Sequence, residues 1–304
     1  MQVIDNRTVA SVLTVEKAIA VMREAFESYA AGGAMQERVR IDCGKTKLSM
    51  MGAILPGRDA VGAKIYTTIN GRFTFLVALF SADDGRLLAV MEGDAMTEFR
   101  TAAVTAIAAD ACAPQDAKVL SIFGTGVQAR AHVPALLAVR KFSEILVHGI
   151  EGTREFAEWV ASRFDIPCRP VEAADAAASA DVIVTATRSA SPLFDGHLVK
   201  PAAFVAAIGS SKPDTREVDE ALVKRASRIV VEWKRQAMQE AGDLLLCEAG
   251  AFDWEAVSEL GSELAKPGAK RTAPGVVLYK AIGVGLEDVA LAEFVYRSLL
   301  ARGT

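Results

Sequence analysis

Histidine and cysteine are scarce in this chain, with three of the first and four of the second among 304 residues. His132, His148 and His197 share no metal-ligand spacing, and Cys43, Cys112, Cys168 and Cys247 form no CxxC pair, so neither a metal site nor a disulfide framework is expected. No apolar run approaches the ~18 residues of a membrane span. An excess of basic charge is also missing: the net charge is −4, which leaves no global field to attract nucleic acid. The first residues carry acids and lack a signal-peptide pattern, so a cytoplasmic location is expected. Repeats and low-complexity linkers are absent. What remains is a globular composition, 51% hydrophobic and 24% charged, with a length that suggests about two domains.

Two textures follow one another along the chain. Residues 11–32 carry apolar side chains at helical spacing up to Gly32-Gly33. From Arg38 to Val90 the pattern changes to strand-like stretches (KLSMMGAIL, VGAKIYTTI, FTFLVALF, LLAVME), with Asp83-Asp84-Gly85 as a hairpin signal. An Ala-rich helix is expected from about Thr97 to Ala111. Beyond it, short apolar strands at 118–123, 144–148, 181–186, 203–208 and 228–232 alternate with helical stretches, the mark of βαβ units and a parallel sheet. After Pro274-Gly275 the sequence reads as a short loop and a long amphipathic helix. The expected class is therefore α/β: a Rossmann-type doubly wound sheet joined to an α+β domain.

One turn carries a specific chemistry. KVLSIF is followed at once by Gly124-Thr125-Gly126-Val127-Gln128-Ala129, a GxGxxA pattern between a strand and a helix. Gly124 permits the tight turn, and Gly126 lets a pyrophosphate approach the backbone. The helix amino terminus offers free N–H groups and a positive dipole end to the phosphates. That context makes dinucleotide binding the better reading than a turn without ligand. Glu151, the first acid after the second strand, is a candidate to hydrogen-bond an adenosine ribose, which would favour NAD; an ordinary solvated loop carboxylate is the equal alternative. Arg154 nearby could instead meet the 2′-phosphate of NADP.

The stretches VGAKIYTT, DDGRLLAVMEGDAMTEFRTAAVTAIAA and SIFGTGVQARAHVPAL resemble the ornithine cyclodeaminase/mu-crystallin family in order and spacing. ADVIVTAT, AAIGSSKPDTREVDEAL and LYKAIGVGLEDVALAEFVY agree, so the resemblance runs from about Arg40 to the end. It implies a substrate-binding and dimerisation domain from residues 1–113 plus 276–304, a Rossmann domain at 114–275, and a homodimer. It further implies that Arg40 and Arg100 bind the carboxylate of a small amino or imino acid beside Lys64. Arg38 competes with Arg40 two residues away. Thr101 corresponds to a phosphate contact. Thr187, Ile208, Gly209 and Ser210 line the nicotinamide side, and Gly283 lies in a closing loop near the cofactor. The chemistry is consistent: guanidinium groups bind a carboxylate bidentately, and a lysine among apolar strand neighbours needs a partner. Without the resemblance, the favoured reading of these residues is a Lys64 stem that snorkels to solvent and a solvated edge at Arg38 and Arg40.

A departure bears on the reaction. True cyclodeaminases of this family place an acid just after the IG pair that ends a late strand. Here Ser211 occupies that position, and Asp214 lies three residues on. A serine without a neighbouring base is a poor proton shuttle. Ala281 also stands where serine is common. The expected activity is thus reduction of an imino acid, such as Δ1-pyrroline-2-carboxylate, by NAD(P)H. Ornithine cyclodeamination through a substitute carrier, or crystallin-like cofactor binding without catalysis, are the alternatives. His132 is expected to be structural.

Overall fold

The computed structural model describes every residue except 31, 56, 59, 267–274 and 304. Pro274, expected just before a short loop, lies outside the described residues. The chain divides by packing into two units, Met1–Val104 with Gly283–Thr304, and Thr105–Ile282.

The first unit opens with β1 (Gln2–Ile4), α1 (Asn6–Val12) and α2 (Val15–Ala30). Where the sequence suggests one helix from 11 to 32, there are two, because Leu13 turns extended and Thr14 caps the next turn through Lys17 N–H. Next come β2 (Ala34–Met35), β3 (Val39–Cys43), β4 (Thr46–Leu55), β5 (Ala60–Ile69), β6 (Arg72–Ser81) and β7 (Leu87–Glu92). They form a sheet in the order β1-β7-β6-β5-β4-β2, with β3 also on β4. All pairings are antiparallel except that of β1 with β7. The period of two splits its faces cleanly. Met51, Lys64 and Val77 stand opposite one another on β4, β5 and β6, and all three are buried. The C-terminal helix (Gly285–Arg302) packs on these strands and on α2. The other face carries Ile41, Leu48, Met50, Ile54 and Leu76, all exposed.

The helix expected at Thr97–Ala111 is α3 (Asp94–Cys112), in which the chain passes from the first unit to the second. Within the second unit, Arg140 donates to the carbonyls of Ala109 and Asp110 at its carboxyl end and pairs with the Asp110 carboxylate.

The second unit is a parallel sheet: β8 (Val119–Phe123), β9 (Glu144–His148), β10 (Cys168–Pro170), β11 (Val182–Thr185), β12 (Phe204–Ala207), β13 (Ala226–Val231), β14 (Ser258–Glu259) and β15 (Val276–Lys280). Its order is β10-β9-β8-β11-β12-β15-β13-β14. Strand order therefore reverses at β8, with β9 on one side and β11 on the other, the switch point at which open α/β sheets bind ligands. Helices α4 (Val127–Leu137), α5 (Thr153–Phe164), α6 (Ala173–Ser179), α7 (Glu220–Arg225), α8 (Lys234–Glu240), α9 (Gly242–Leu245) and α10 (Leu260–Leu264) complete the unit.

A second departure from the sequence reading lies near the carboxyl end. Val276–Lys280, read as loop, is β15, paired on both sides and wholly buried. Five residues of apolar run are too short to declare a period, so burial on two edges decides it. Among the described residues no helix is long and apolar enough to cross a membrane.

Candidate active site

Lys64 sits at the centre of a charged cluster in the first unit. Its strand register turns it onto the covered sheet face, where it is 1% exposed. The ammonium donates to Asp288 Oδ1 at 2.8 Å and to Thr97 Oγ1 at 2.5 Å, and lies 4.2 Å from the centroid of the Phe75 ring. Arg100, one turn along α3 from Thr97, donates to Glu287 Oε2 at 2.5 Å, and its Nε lies 3.8 Å from Asp288 Oδ1. Both carboxylates come from the first turn of the C-terminal helix, where the helix dipole favours negative charge. Burial lowers the Lys64 ammonium to about 8; Asp288 opposes the shift, and the positive charges of Arg100 and Arg38 add to it. A lysine near neutrality in pKa, with two guanidinium groups in its field, can hold a carboxylate and release a proton.

Arg38 and Arg40 both bear on this face. Arg38 donates to the Gly283 carbonyl at 2.7 Å and to Met51 Sδ at 3.4 Å. Arg40 stands opposite Ser49, whose own partner across β5 is Tyr66, one row along the face from Met51 and Lys64. Gly283 has φ +70°, and a Cβ there would lie 2.6 Å from Arg100 Nη1. It thus shapes the arginine cluster of its own unit. Thr101 donates back to the Thr97 carbonyl at 2.7 Å.

In the second unit the glycine turn has the form a dinucleotide needs. Gly124 has φ +106°, and a Cβ would strike the Ala186 carbonyl at 2.7 Å. A Cβ on Gly126 would meet nothing within 4 Å, so its absence leaves open space in front of α4. No side chain caps α4 and no acid stands in its first turn, so its free N–H groups and dipole face that space. The residues present therefore fit a pyrophosphate. Thr125 donates to the Glu151 carbonyl at 3.1 Å, joining the turn to the loop after β9; Val127 and Glu151 are exposed. His132, buried, is lowered to about 4 by desolvation and so is neutral at pH 7. Its Nδ1 donates to the Gln128 carbonyl at 2.7 Å, which leaves Nε2 to accept from the Thr105 hydroxyl at 2.9 Å. It ties α4 to α3 within this unit and, as a neutral imidazole, does not serve as an acid at pH 7.

Thr187, Ile208, Gly209 and Ser210 cluster at the carboxyl ends of β11 and β12. Thr187 and Gly209 donate to Glu217, and Ser210 bonds the Thr215 residue. Asp214 is exposed. Burial raises the Glu217 carboxyl, with Lys280 and the hydroxyl and amide donors pulling it back.

Sequence reasoning missed Thr97, Phe75, Glu287, Asp288, Glu217 and Lys280. The only signal for Glu287 and Asp288 was a pair of acids opening an amphipathic helix, which usually means a solvated first turn.

Comparison with known proteins adds a second line. The model of the ornithine cyclodeaminase/mu-crystallin family matches residues 2–303. Ketimine reductase mu-crystallin of Mus musculus is 36% identical over 279 residues, covering 88% of this chain and 86% of that protein. The crystal structure of a probable ornithine cyclodeaminase from Bordetella pertussis superposes with TM-score 0.96 at 45% identity, covering 99% and 98% of the two chains. Thermococcus litoralis Δ1-pyrroline-2-carboxylate reductase, solved with NADH and L-proline, gives TM-score 0.93 at 25% identity over 100% and 99%.

Proposed function

Because this chain belongs to the ornithine cyclodeaminase/mu-crystallin family, we propose that it reduces a small imino acid, such as Δ1-pyrroline-2-carboxylate, to the amino acid. The observation that carries this reading is the buried Lys64, close to Asp288, Thr97 and Arg100. NADH, held on the Gly124–Ala129 turn with Glu151 at its ribose, supplies the hydride when bound.

Reduction adds a hydride to the imine carbon and a proton to its nitrogen. Arg40 and Arg100 grip the substrate carboxylate as planar, bidentate donors. Arg38 is assigned to the Gly283 carbonyl, which it already holds. Lys64 gives the proton: its ammonium, brought near 8 by burial, is charged at pH 7 yet released cheaply. Asp288 and Thr97 fix the direction of that ammonium. Assaying NADH oxidation with a panel of cyclic ketimines, and with 2-oxo acids plus amines, tests the reading; no oxidation with any of them would sink it.

A second reading, ornithine cyclodeamination, draws on the likeness to the probable ornithine cyclodeaminase of Bordetella pertussis. It needs a carboxylate proton carrier in the region of Ser211, and Asp214 there is exposed. Proline and ammonia formed from ornithine with no net change in cofactor would favour it over reduction.

The chain is also proposed to act as a homodimer through the apolar sheet face of its first unit. Ile41, Leu48, Met50, Ile54 and Leu76 share that face and are all exposed. Light scattering should find twice the chain mass, and Ile41→Glu with Leu76→Lys should give the single mass.

A further inference from the structure

One buried carboxylate in the second unit accepts four hydrogen bonds. Glu217 Oε1 takes the Thr187 N–H at 2.7 Å and the Thr187 hydroxyl at 2.6 Å. Oε2 takes the Thr185 hydroxyl at 2.8 Å and the Gly209 N–H at 2.6 Å. These donors belong to the carboxyl ends of two neighbouring strands, β11 and β12. Glu217 is itself held: its N–H and that of Val218 donate to Asp243 Oδ1 at 2.6 and 3.0 Å. Asp243 Oδ2 pairs with Lys280 Nζ at 2.8 Å, and Lys280 donates to the Ala207 and Ser210 carbonyls at 3.2 and 2.5 Å. Glu217, Asp243 and Lys280 are all fully buried.

Three buried charges are a costly way to join two loops, since apolar packing of the same volume is often as stable. What charge supplies here is geometry. A carboxylate with two N–H donors and two hydroxyl donors fixes the two strand ends at one spacing. Gly209 has no room for a side chain between Thr187 and Glu217.

The place of this clamp gives it a purpose. In an open parallel sheet the ligand lies outside the carboxyl ends of the strands, about the switch point. Gly124 closes β8 directly against Ala186 and Thr187. A dinucleotide with its pyrophosphate on that turn would send one nucleoside toward β9 and Glu151, and the other across β11 and β12. The two strand ends that Glu217 ties together would then meet the second nucleoside.

We propose that Glu217 is a positioning residue for the nicotinamide half of the cofactor, setting the backbone of Thr187 and Gly209, with Asp243 and Lys280 holding Glu217 in turn. The inference rests on the cofactor reading above. With all four acceptor sites used, Glu217 does not exchange protons with substrate.

The test is to titrate the wild-type chain and Glu217→Gln with NADH and with ADP-ribose, which shares the adenosine, pyrophosphate and second ribose but lacks nicotinamide. Glutamine keeps the shape and turns one acceptor oxygen into a donor facing donors, so one strand end is released. The NADH dissociation constant should rise roughly tenfold while that for ADP-ribose stays within about twofold. Equal weakening of both, as a merely structural defect would give, or no change in either, overturns the proposal. If Glu217→Gln fails to fold, Thr187→Val removes one of the four bonds and carries the same comparison, with a loss of roughly fivefold expected for NADH alone. A wild-type chain that binds ADP-ribose but not NADH, or neither, overturns the cofactor reading and this inference with it.

Discussion

Each unit buries one strand lysine against an aspartate from a helix, and the two lysines are built for different work. Lys280 in β15 faces Asp243 and two backbone carbonyls. Every neighbour named there is an acceptor, so the position of the ammonium is fixed. Lys64 in β5 faces Asp288, yet burial brings it down to about 8, and the positive charges of Arg100 and Arg38 add to that shift. Its proton is held loosely. The same residue type, the same partner type and the same burial thus give a structural pin in one unit and the proposed proton donor in the other. What differs is the neighbours: two guanidinium groups stand in the field of Lys64, whereas the partners named for Lys280 are a carboxylate and two carbonyls.

Replacing each lysine should separate the two roles. Lys64→Ala should lower kcat/KM for imine reduction by about a hundredfold or more, and a folded chain with unchanged turnover would break the contrast. Lys280→Met leaves Asp243 buried without its cation. It should cost about 3–5 kcal/mol of stability in denaturant unfolding; a loss below about 1 kcal/mol would remove Lys280 as a pin.

The arginines sharpen the same picture at smaller scale. Arg100→Lys and Arg40→Lys should raise KM for the imino acid by about tenfold each, since one point charge replaces a bidentate fork. Arg38→Lys should raise it less, which steady-state kinetics on the three variants would decide. The pH profile gives the next effect. Lys64 carries its proton below about 8 and loses it above, so the reduction rate should be level toward neutrality and fall tenfold per unit well beyond pH 8. In Lys64→Arg that basic limb should disappear, because a guanidinium does not titrate there. Glu151→Ala should shift the preference toward NADPH by a few fold, the smallest change, because the carboxylate is exposed.

These contrasts also explain what could be read from residues alone. The glycine turn was legible because Gly124 to Ala129 are contiguous and their spacing maps directly onto strand, turn and helix. Lys64 and Arg100 were reached only by resemblance to a family. Their partners Glu287 and Asp288 lie about two hundred positions away along the chain, and no local period links them. Lys280 stood in plain view within LYKAIG, yet a buried lysine in a short apolar run cannot be told from a loop lysine until both neighbouring strands are known. Glu217 lay hidden in an acid-rich stretch, DTREVDE, that reads as a solvated turn.

The most direct test follows proline formation from Δ1-pyrroline-2-carboxylate and NADH in the wild-type chain and in Lys64→Ala. One proline per NADH consumed, with the variant slowed about a hundredfold or more, is the result expected of a buried proton-donating lysine. Equal rates in the two proteins, or proline appearing from ornithine with release of ammonia and no NADH consumed, would contradict it.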